Sequence, residues 1–283
     1  MIVILGSSGF IGKSLCNYLT GNNIAHIGVS SKEIDLTAPN AAKKLLKILS
    51  KSTVLIFASS IVREKGDSLE NMLKNIDMAA NVALAVSKSP VKKLIFISSI
   101  DVYGDQMIKI NETTQPNPGN FYGISKLASE MILNKTCLSY KIPFLILRLG
   151  GIFGPGQSAK KYGPNSFIDG ILNSRTITIY GDGREMRDLV YIGDLIRAIH
   201  ELSVKKTTGI INMASGKAVS FLQVTGLLKK IFPYDFELKI LPRTGTKYDI
   251  ILDNKKLNSA LSKKFKFTNI LDALKITVDS FNE

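Results

Sequence analysis

Apolar residues along this chain come in short unbroken runs, separated by stretches with helical spacing. Ile2–Leu5, Ile24–Val29, Thr53–Phe57, Lys93–Ile97 and Pro143–Leu149 read as strands. Ile11–Thr20, Ala41–Lys51, Ser68–Ser87 and Phe121–Tyr140 read as helices between them. This alternation predicts an α/β fold, a doubly wound parallel sheet. Runs that do not alternate apolar with polar suit strands covered on both faces.

After Gly150 the rhythm loosens. Gly, Pro and Asn concentrate in Gly150–Asn165, a loop signal, and shorter elements follow. The segment near Gly209–Ala214 again looks like a sheet strand. The expected division is a main domain over 1–150, its sheet completed by part of 185–215, with 151–283 forming mainly a smaller lobe.

Composition narrows the class. The 283 residues are 45% apolar, enough for a real core. No apolar run reaches the length of a membrane span, and the start Met-Ile-Val-Ile-Leu-Gly lacks a basic leader and a cleavage site. Cys16 and Cys137 form no disulfide framework, which suits a reducing cytoplasm. His26 and His200, without clustered thiols, give a metal site little to work with. The net charge of +14, from 37 basic against 23 acidic residues, comes mostly from scattered lysines such as Lys43, Lys44, Lys47 and Lys51. A solvated surface explains them, and no nucleic-acid motif accompanies them. Their field also draws in small dianions such as sugar diphosphates.

Candidate chemistry begins at Gly6-Ser-Ser-Gly9-Phe-Ile-Gly12, directly after the first strand and opening the first helix. The glycines allow a tight turn, close approach of backbone to a pyrophosphate, and tight helix–strand packing. The helix start then offers free N–H groups to phosphates. Gly6, Ser8, Gly9, Phe10, Ile11 and Gly12 are thus candidate cofactor contacts. At the end of the second strand an acid would accept from a ribose 2′-hydroxyl and repel a 2′-phosphate. The chain has Val29-Ser30-Ser31-Lys32, with no acid until Glu33. Ser30, Ser31 and Lys32 therefore point to NADP(H), with NAD(H) the alternative. Asp35 and Leu36 follow as adenine-side candidates.

A second constellation lies downstream. Tyr122 and Lys126 are four residues apart at a helix start and share a face, while Ser98-Ser99 closes an earlier strand. In a parallel sheet, strand ends and following helix starts converge on one crevice. A phenol titrates near pH 10, and about three units of lowering corresponds to roughly 4 kcal/mol. One ammonium about 4 Å away near a protein surface supplies that much. The expectation is a phenol brought toward neutrality by Lys126, with Ser99 holding the substrate oxygen.

With these residues in hand, the chain resembles the extended short-chain dehydrogenase/reductases, the NAD-dependent epimerase/dehydratase group. The likeness covers nearly the whole chain. It rests on Gly6–Gly12, Ala58-Ser59, Phe96-Ile-Ser-Ser-Ile-Asp-Val-Tyr-Gly104, and Phe121-Tyr-Gly-Ile-Ser-Lys126. It continues in Arg148-Leu-Gly-Gly-Ile-Phe-Gly-Pro-Gly156 and in Tyr180 to Asp194, which contains Arg-Asp-Leu-Val-Tyr. The resemblance implies Ser99, Tyr122 and Lys126 as the catalytic triad, with Lys126 also gripping the nicotinamide ribose. It places Ala58, Ser59 and Asn75 along the cofactor cleft and Arg187 at the diphosphate of a nucleotide sugar. Arg184 joins Arg187 as a substrate candidate, and surface ion pairs are the alternative for both.

The resemblance also frames the reaction. Dehydratases of the group carry adjacent Asp-Glu where this chain has Ile100-Asp101, which disfavours dehydration; Asp101 is left as a substrate contact or a turn residue. A reductase of nucleotide-bound 4-keto-(6-deoxy)sugars is the first expectation, from the absent acid and the brief second βα unit at Lys32–Pro39. A 4-epimerase with tightly bound NAD is the second, and a non-catalytic dinucleotide sensor the third. Gly151 stands where an Asn is common, so that substrate bond is either missing or supplied by Tyr162, Asn165 or Ser166. The resemblance further implies a homodimer through Ser68–Ser87 and Phe121–Tyr140, with sugars for cell-surface polysaccharides as the setting.

Overall fold

Every residue of Ile2–Leu5 (β1), Val54–Phe57, Lys93–Ser99 and Phe144–Leu149 is buried. A computed structural model of the chain describes residues 1–105, 109–158, 163–243 and 247–281. In chain order after β1 come Phe10–Gly21 (α1), His26–Val29 (β2), Ala41–Leu45 (α2), Val54–Phe57 (β3), Leu69–Lys88 (α3), Lys93–Ser99 (β4), Phe121–Ser139 (α4) and Phe144–Leu149 (β5). Then follow Gly151–Phe153 (β6), Gly163–Ser174 (α5), Thr176–Tyr180 (β7), Met186–Tyr191 (β8), Ile192–Val204 (α6) and Gly209–Met213 (β9). Ala218–Ser220 (β10), Phe221–Lys229 (α7), Glu237–Leu241 (β11), Lys255–Ala260 (α8) and Ile270–Asp279 (α9) complete the order.

The main sheet runs β2-β1-β3-β4-β5-β9, with parallel register from β2 through β5. One face carries Val3, Leu55, Leu94 and Phe144, which join a core with Val82 and Val86 of α3 and Leu133 of α4. Ile4, Ile56, Ile95 and Leu145 on the other face are equally buried, so the sheet is covered on both sides as its unbroken apolar runs require. The doubly wound architecture expected from the sequence is present.

Helix starts follow their capping residues. Ser68 accepts from Asn71 N–H to begin α3, and Asn120 accepts from Gly123 N–H to begin α4. At the opposite sheet edge the buried Lys93 ammonium donates to the carbonyls of Leu202 (2.6 Å) and Lys205 (2.8 Å), capping the end of α6. Burial pushes Lys93 down to about 8.

The chain divides into two units. The first contains Met1–Asp105, Glu112–Leu149 and Ala198–Asn212. The second contains 109–111, Gly150–Arg197 and Met213 onward. It is built on a β10-β8-β6 sheet and a parallel β11-β7 pair, around Phe153, Ile168, Ile177, Leu189, Val224 and Leu274. Among the described residues, no helix is long and apolar enough to cross a membrane.

Candidate active site

The glycine turn forms as its spacing requires. Gly6 has φ +93, and a Cβ there would meet Ser59 N at 2.8 Å, so the turn lies against the end of β3. A Cβ at Gly12 would meet Gly6 O at 2.0 Å, which only glycine avoids. Gly9 caps α1 without a side-chain bond, leaving the helix start open to an anion. Ser8 and Gly9 are exposed, and Phe10 and Ile11 are half-buried. Ala58 N–H donates to Leu5 O, bringing Ala58 and Ser59 alongside the turn. Asn75 on α3 is buried and clamps the following loop, accepting from Ile61 N–H (2.8 Å) and donating to Ile61 O (3.0 Å).

The end of β2 differs from the expectation. Glu33 folds back, and its carboxylate accepts from both the backbone N–H (2.7 Å) and the hydroxyl of Ser30. Those bonds hold the Glu33 carboxyl below the usual carboxylate range. An ionised acid therefore stands at the strand end, where residue order alone had placed only hydroxyls and Lys32. Ser31 and Lys32 are exposed. Ser30-x-x-Glu33 has the spacing of a capping box, the signal that reveals this fold-back. Asp35 is turned toward its own loop, accepting from Thr37 N–H (2.9 Å) and hydroxyl (2.8 Å), while Asn81 donates to Leu36 O (2.9 Å).

Ser99, Tyr122 and Lys126 occupy the carboxyl end of β4 and the first two turns of α4. The two segments approach closely, since a Cβ at Gly123 would meet Asp101 O at 2.5 Å. Asp67 accepts from Tyr122 N–H (3.0 Å), steadying the helix start from another loop; sequence reasoning missed this residue. The expected lowering of the phenol by Lys126 is absent. Lys126 is 4% exposed and donates to Ile97 O at 2.8 Å, with its Nζ 5.5 Å from the Tyr122 ring centre. Burial pushes Lys126 down to about 7. Burial around the partly exposed Tyr122 side chain, together with the Asp101 charge, pushes its phenol up. Desolvation outweighs pairing here.

Beneath these groups lies a buried polar layer that the sequence did not disclose. Glu130, one turn beyond Lys126, accepts from Arg148 Nε (3.0 Å) and Nη2 (2.6 Å) and from the Ser98 hydroxyl (2.5 Å). Ser98 and Arg148 are direct partners across β4 and β5, which explains why both reach the same carboxylate. The Arg148 guanidinium lies 4.7 Å from the Tyr103 ring centre, and Tyr103 O–H donates to Asn212 (2.8 Å).

The second unit carries the other candidates. Gly151 is exposed on β6. Asn165 is fully buried and brackets Gly154, accepting from its N–H (3.1 Å) and donating to its carbonyl (3.0 Å), which braces the loop. Ser166 donates to Gly163 O (2.9 Å). Tyr162 lies outside the described residues. Arg184 is exposed; Arg187 on β8 donates to Met186 O (2.9 Å) and Tyr248 O (2.7 Å), with the Phe221 and Tyr248 rings about it.

A glycine turn after β1, a covered parallel sheet and a Ser/Tyr/Lys group at its carboxyl edge define a Rossmann-type protein of the dehydrogenase kind. Residues 2–214 match the NAD dependent epimerase/dehydratase family, and the chain belongs to it. It is similar to a putative UDP-glucose 4-epimerase of Methanocaldococcus jannaschii, at 29% identity over 92% of each chain. It is also similar to the GDP-6-deoxy-D-talose 4-dehydrogenase of Aggregatibacter actinomycetemcomitans, at 26% identity over 95% of this chain and 94% of that one. The crystal structure of UDP-glucuronic acid 4-epimerase from Bacillus cereus, in complex with UDP-glucuronic acid and NAD, shares the fold. Its TM-score is 0.86 at 24% identity, covering 99% of this chain and 98% of that one.

Proposed function

We propose that this protein transfers hydride at C4 of a nucleotide-bound sugar, acting as a nicotinamide-dependent 4-keto-(6-deoxy)sugar reductase. The observation that carries hydride transfer is the meeting of Ser99, Tyr122 and Lys126 where β4 ends and α4 begins, and the reductase direction is supported by the similarity to the GDP-6-deoxy-D-talose 4-dehydrogenase along 95% of this chain. The cofactor supplies hydride. The uncapped start of α1 and the turn at Gly6 would hold its phosphates, with Ala58, Ser59 and Asn75 alongside. Tyr122 gives its phenolic proton to the forming C4 alkoxide, and Ser99 orients that oxygen. Lys126 holds the nicotinamide ribose. Arg187 takes the substrate diphosphate, a role suited to a guanidinium.

Glu33 supports NAD(H) over NADP(H), because its anion stands at the β2 end where a 2′-phosphate would sit. The NAD named in the Bacillus cereus complex agrees with that preference. Exposed apolar residues on α3 and α4, among them Leu69, Leu73, Leu84, Met131 and Leu138, support a homodimer through these helices.

Epimerisation at C4 is the second reading, favoured by the similarity to the Methanocaldococcus jannaschii protein along 92% of both chains. One experiment separates the two. Net consumption of NADH with a nucleotide-linked 4-keto-6-deoxyhexose is the expected result. Interconversion of UDP-glucose and UDP-galactose without net cofactor change would replace the reductase by the epimerase. No reaction and no dinucleotide binding would overturn both.

A further inference from the structure

Asp101 has more partners than a turn residue needs. Its backbone N–H donates to Ser99 Oγ (3.1 Å), and the Ser99 hydroxyl returns a bond to Asp101 Oδ2 (2.7 Å). Its other oxygen receives Asn120 Nδ2 at 3.4 Å and lies 3.7 Å from Arg63 Nη1. Asn120 is itself the N-cap of α4. One carboxylate thus touches the end of β4, the cap of the helix bearing Tyr122 and Lys126, and the loop at Arg63.

We propose that Asp101 is a positioning residue of this site: it fixes the Ser99 hydroxyl against the start of α4 and supplies negative charge to the buried Lys126. For its catalytic consequence the proposal rests on the hydride-transfer reading above.

The charges around Lys126 decide between candidates. From β4 it faces the Phe96 ring at 4.9 Å and the Ile97 carbonyl; from its own helix it faces the Tyr122 ring and Glu130. Glu130 is matched by the two-pronged Arg148 contact. Among the described residues, the cation paired with Asp101 is the distant Arg63, whose side chain is 55% exposed and screened by water. Both carboxylates oppose the loss of the Lys126 proton, while Asp101, with Glu64 behind it, also resists ionisation of Tyr122. The less compensated charge is Asp101.

The geometry also specifies what Ser99 offers. Its hydroxyl proton goes to Asp101, and one lone pair takes the Asp101 N–H. The remaining lone pair is an acceptor for the C4 hydroxyl of the reduced sugar, and orienting the keto oxygen requires the Ser99 proton to turn from Asp101 toward it.

The test uses the full chain without ligand, labelled with carbon-13 at lysine Cε. One lysine signal, absent from Lys126→Met, titrates near neutrality in the wild type. Asp101→Asn keeps an oxygen for Ser99 but removes the charge, and moves that midpoint down by at least about half a pH unit. A midpoint that stays put overturns the proposal, whatever happens to melting temperature. A second arm measures NADH oxidation with a nucleotide-linked 4-keto-6-deoxyhexose as the probe. Asp101→Asn lowers kcat about tenfold with KM for that sugar within threefold, and Asp101→Ala, which also frees Ser99, lowers kcat further. A raised KM with unchanged kcat would instead make Asp101 a substrate contact and overturn the positioning role. If wild type does not process the probe and binds no dinucleotide, the functional reading fails while the lysine titration still judges Asp101.

Discussion

The Lys126 ammonium reaches the carbonyl of Ile97, at 2.8 Å, while its Nζ stays 5.5 Å from the ring centre of Tyr122. The lysine is anchored to the strand beneath it, and burial together with the Asp101 charge leaves the phenol resisting ionisation. Recruiting the pair for proton transfer therefore requires something to change when ligands enter.

That anchoring has a measurable cost. Burial lowers Lys126 to about 7 in the folded chain against an ordinary 10.5, so between those values the unfolded chain binds more protons. Stability from this group rises as pH climbs through that window and is reduced below it. Lys126→Met is expected to stabilise the fold more at pH 6 than at pH 9, by roughly 2–3 kcal/mol. Equal gains at both pH values, by calorimetry, would remove the buried charge from the account.

Tyr122→Phe removes one oxygen from the proposed proton path. Turnover is expected to fall by about two to four orders of magnitude, with dinucleotide affinity retained. Near-normal turnover in a steady-state assay would exclude Tyr122 from the chemistry.

On the proposed reading, cofactor choice turns on the Glu33 carboxylate. Glu33→Gln is expected to raise NADP+ affinity roughly tenfold and to leave NAD+ affinity within about threefold, because only the 2′-phosphate meets the lost charge. Titration calorimetry with both dinucleotides checks this. An unchanged ratio would place the Ser30–Glu33 turn outside the ribose site.

The Glu130–Arg148 pair is 3–4% exposed, so removing one member strands the other's charge. Arg148→Met is expected to cost about 3–5 kcal/mol in denaturant unfolding. Adding Glu130→Leu in the same chain is expected to restore most of it, and failure to do so would mean that Tyr103 packing carries the loss.

The parallel sheet was legible because its strands are largely apolar and buried on both faces; β1, β3, β4 and β5 match their expected runs to within one or two residues. The helix expected over Ala41–Lys51 stops at Leu45. Past that point Lys47 and Ile48 bond back only three residues, and Ser50 N–H turns to the Thr53 hydroxyl. β6 was hidden inside a loop signal because three residues form a strand only through distant pairing with β8. Ser99, Tyr122 and Lys126 were readable from spacing, whereas their charge balance was not. It depends on burial and on Asp101, Glu130 and Arg148 arriving from different elements. Asp67 gave no such clue, reaching Tyr122 N–H from 55 residues away.

The contact between Gly12 and Gly6, too tight for even a methyl group, also bears on redesign. Loop and helix at that point behave as a single casting, so a wider dinucleotide pocket cannot be carved there without unseating α1 from β1. Attempts to retune this protein for altered nicotinamide analogues have their freedom at the solvent-facing turn of Ser30 to Glu33, where side chains can be exchanged without moving the sheet.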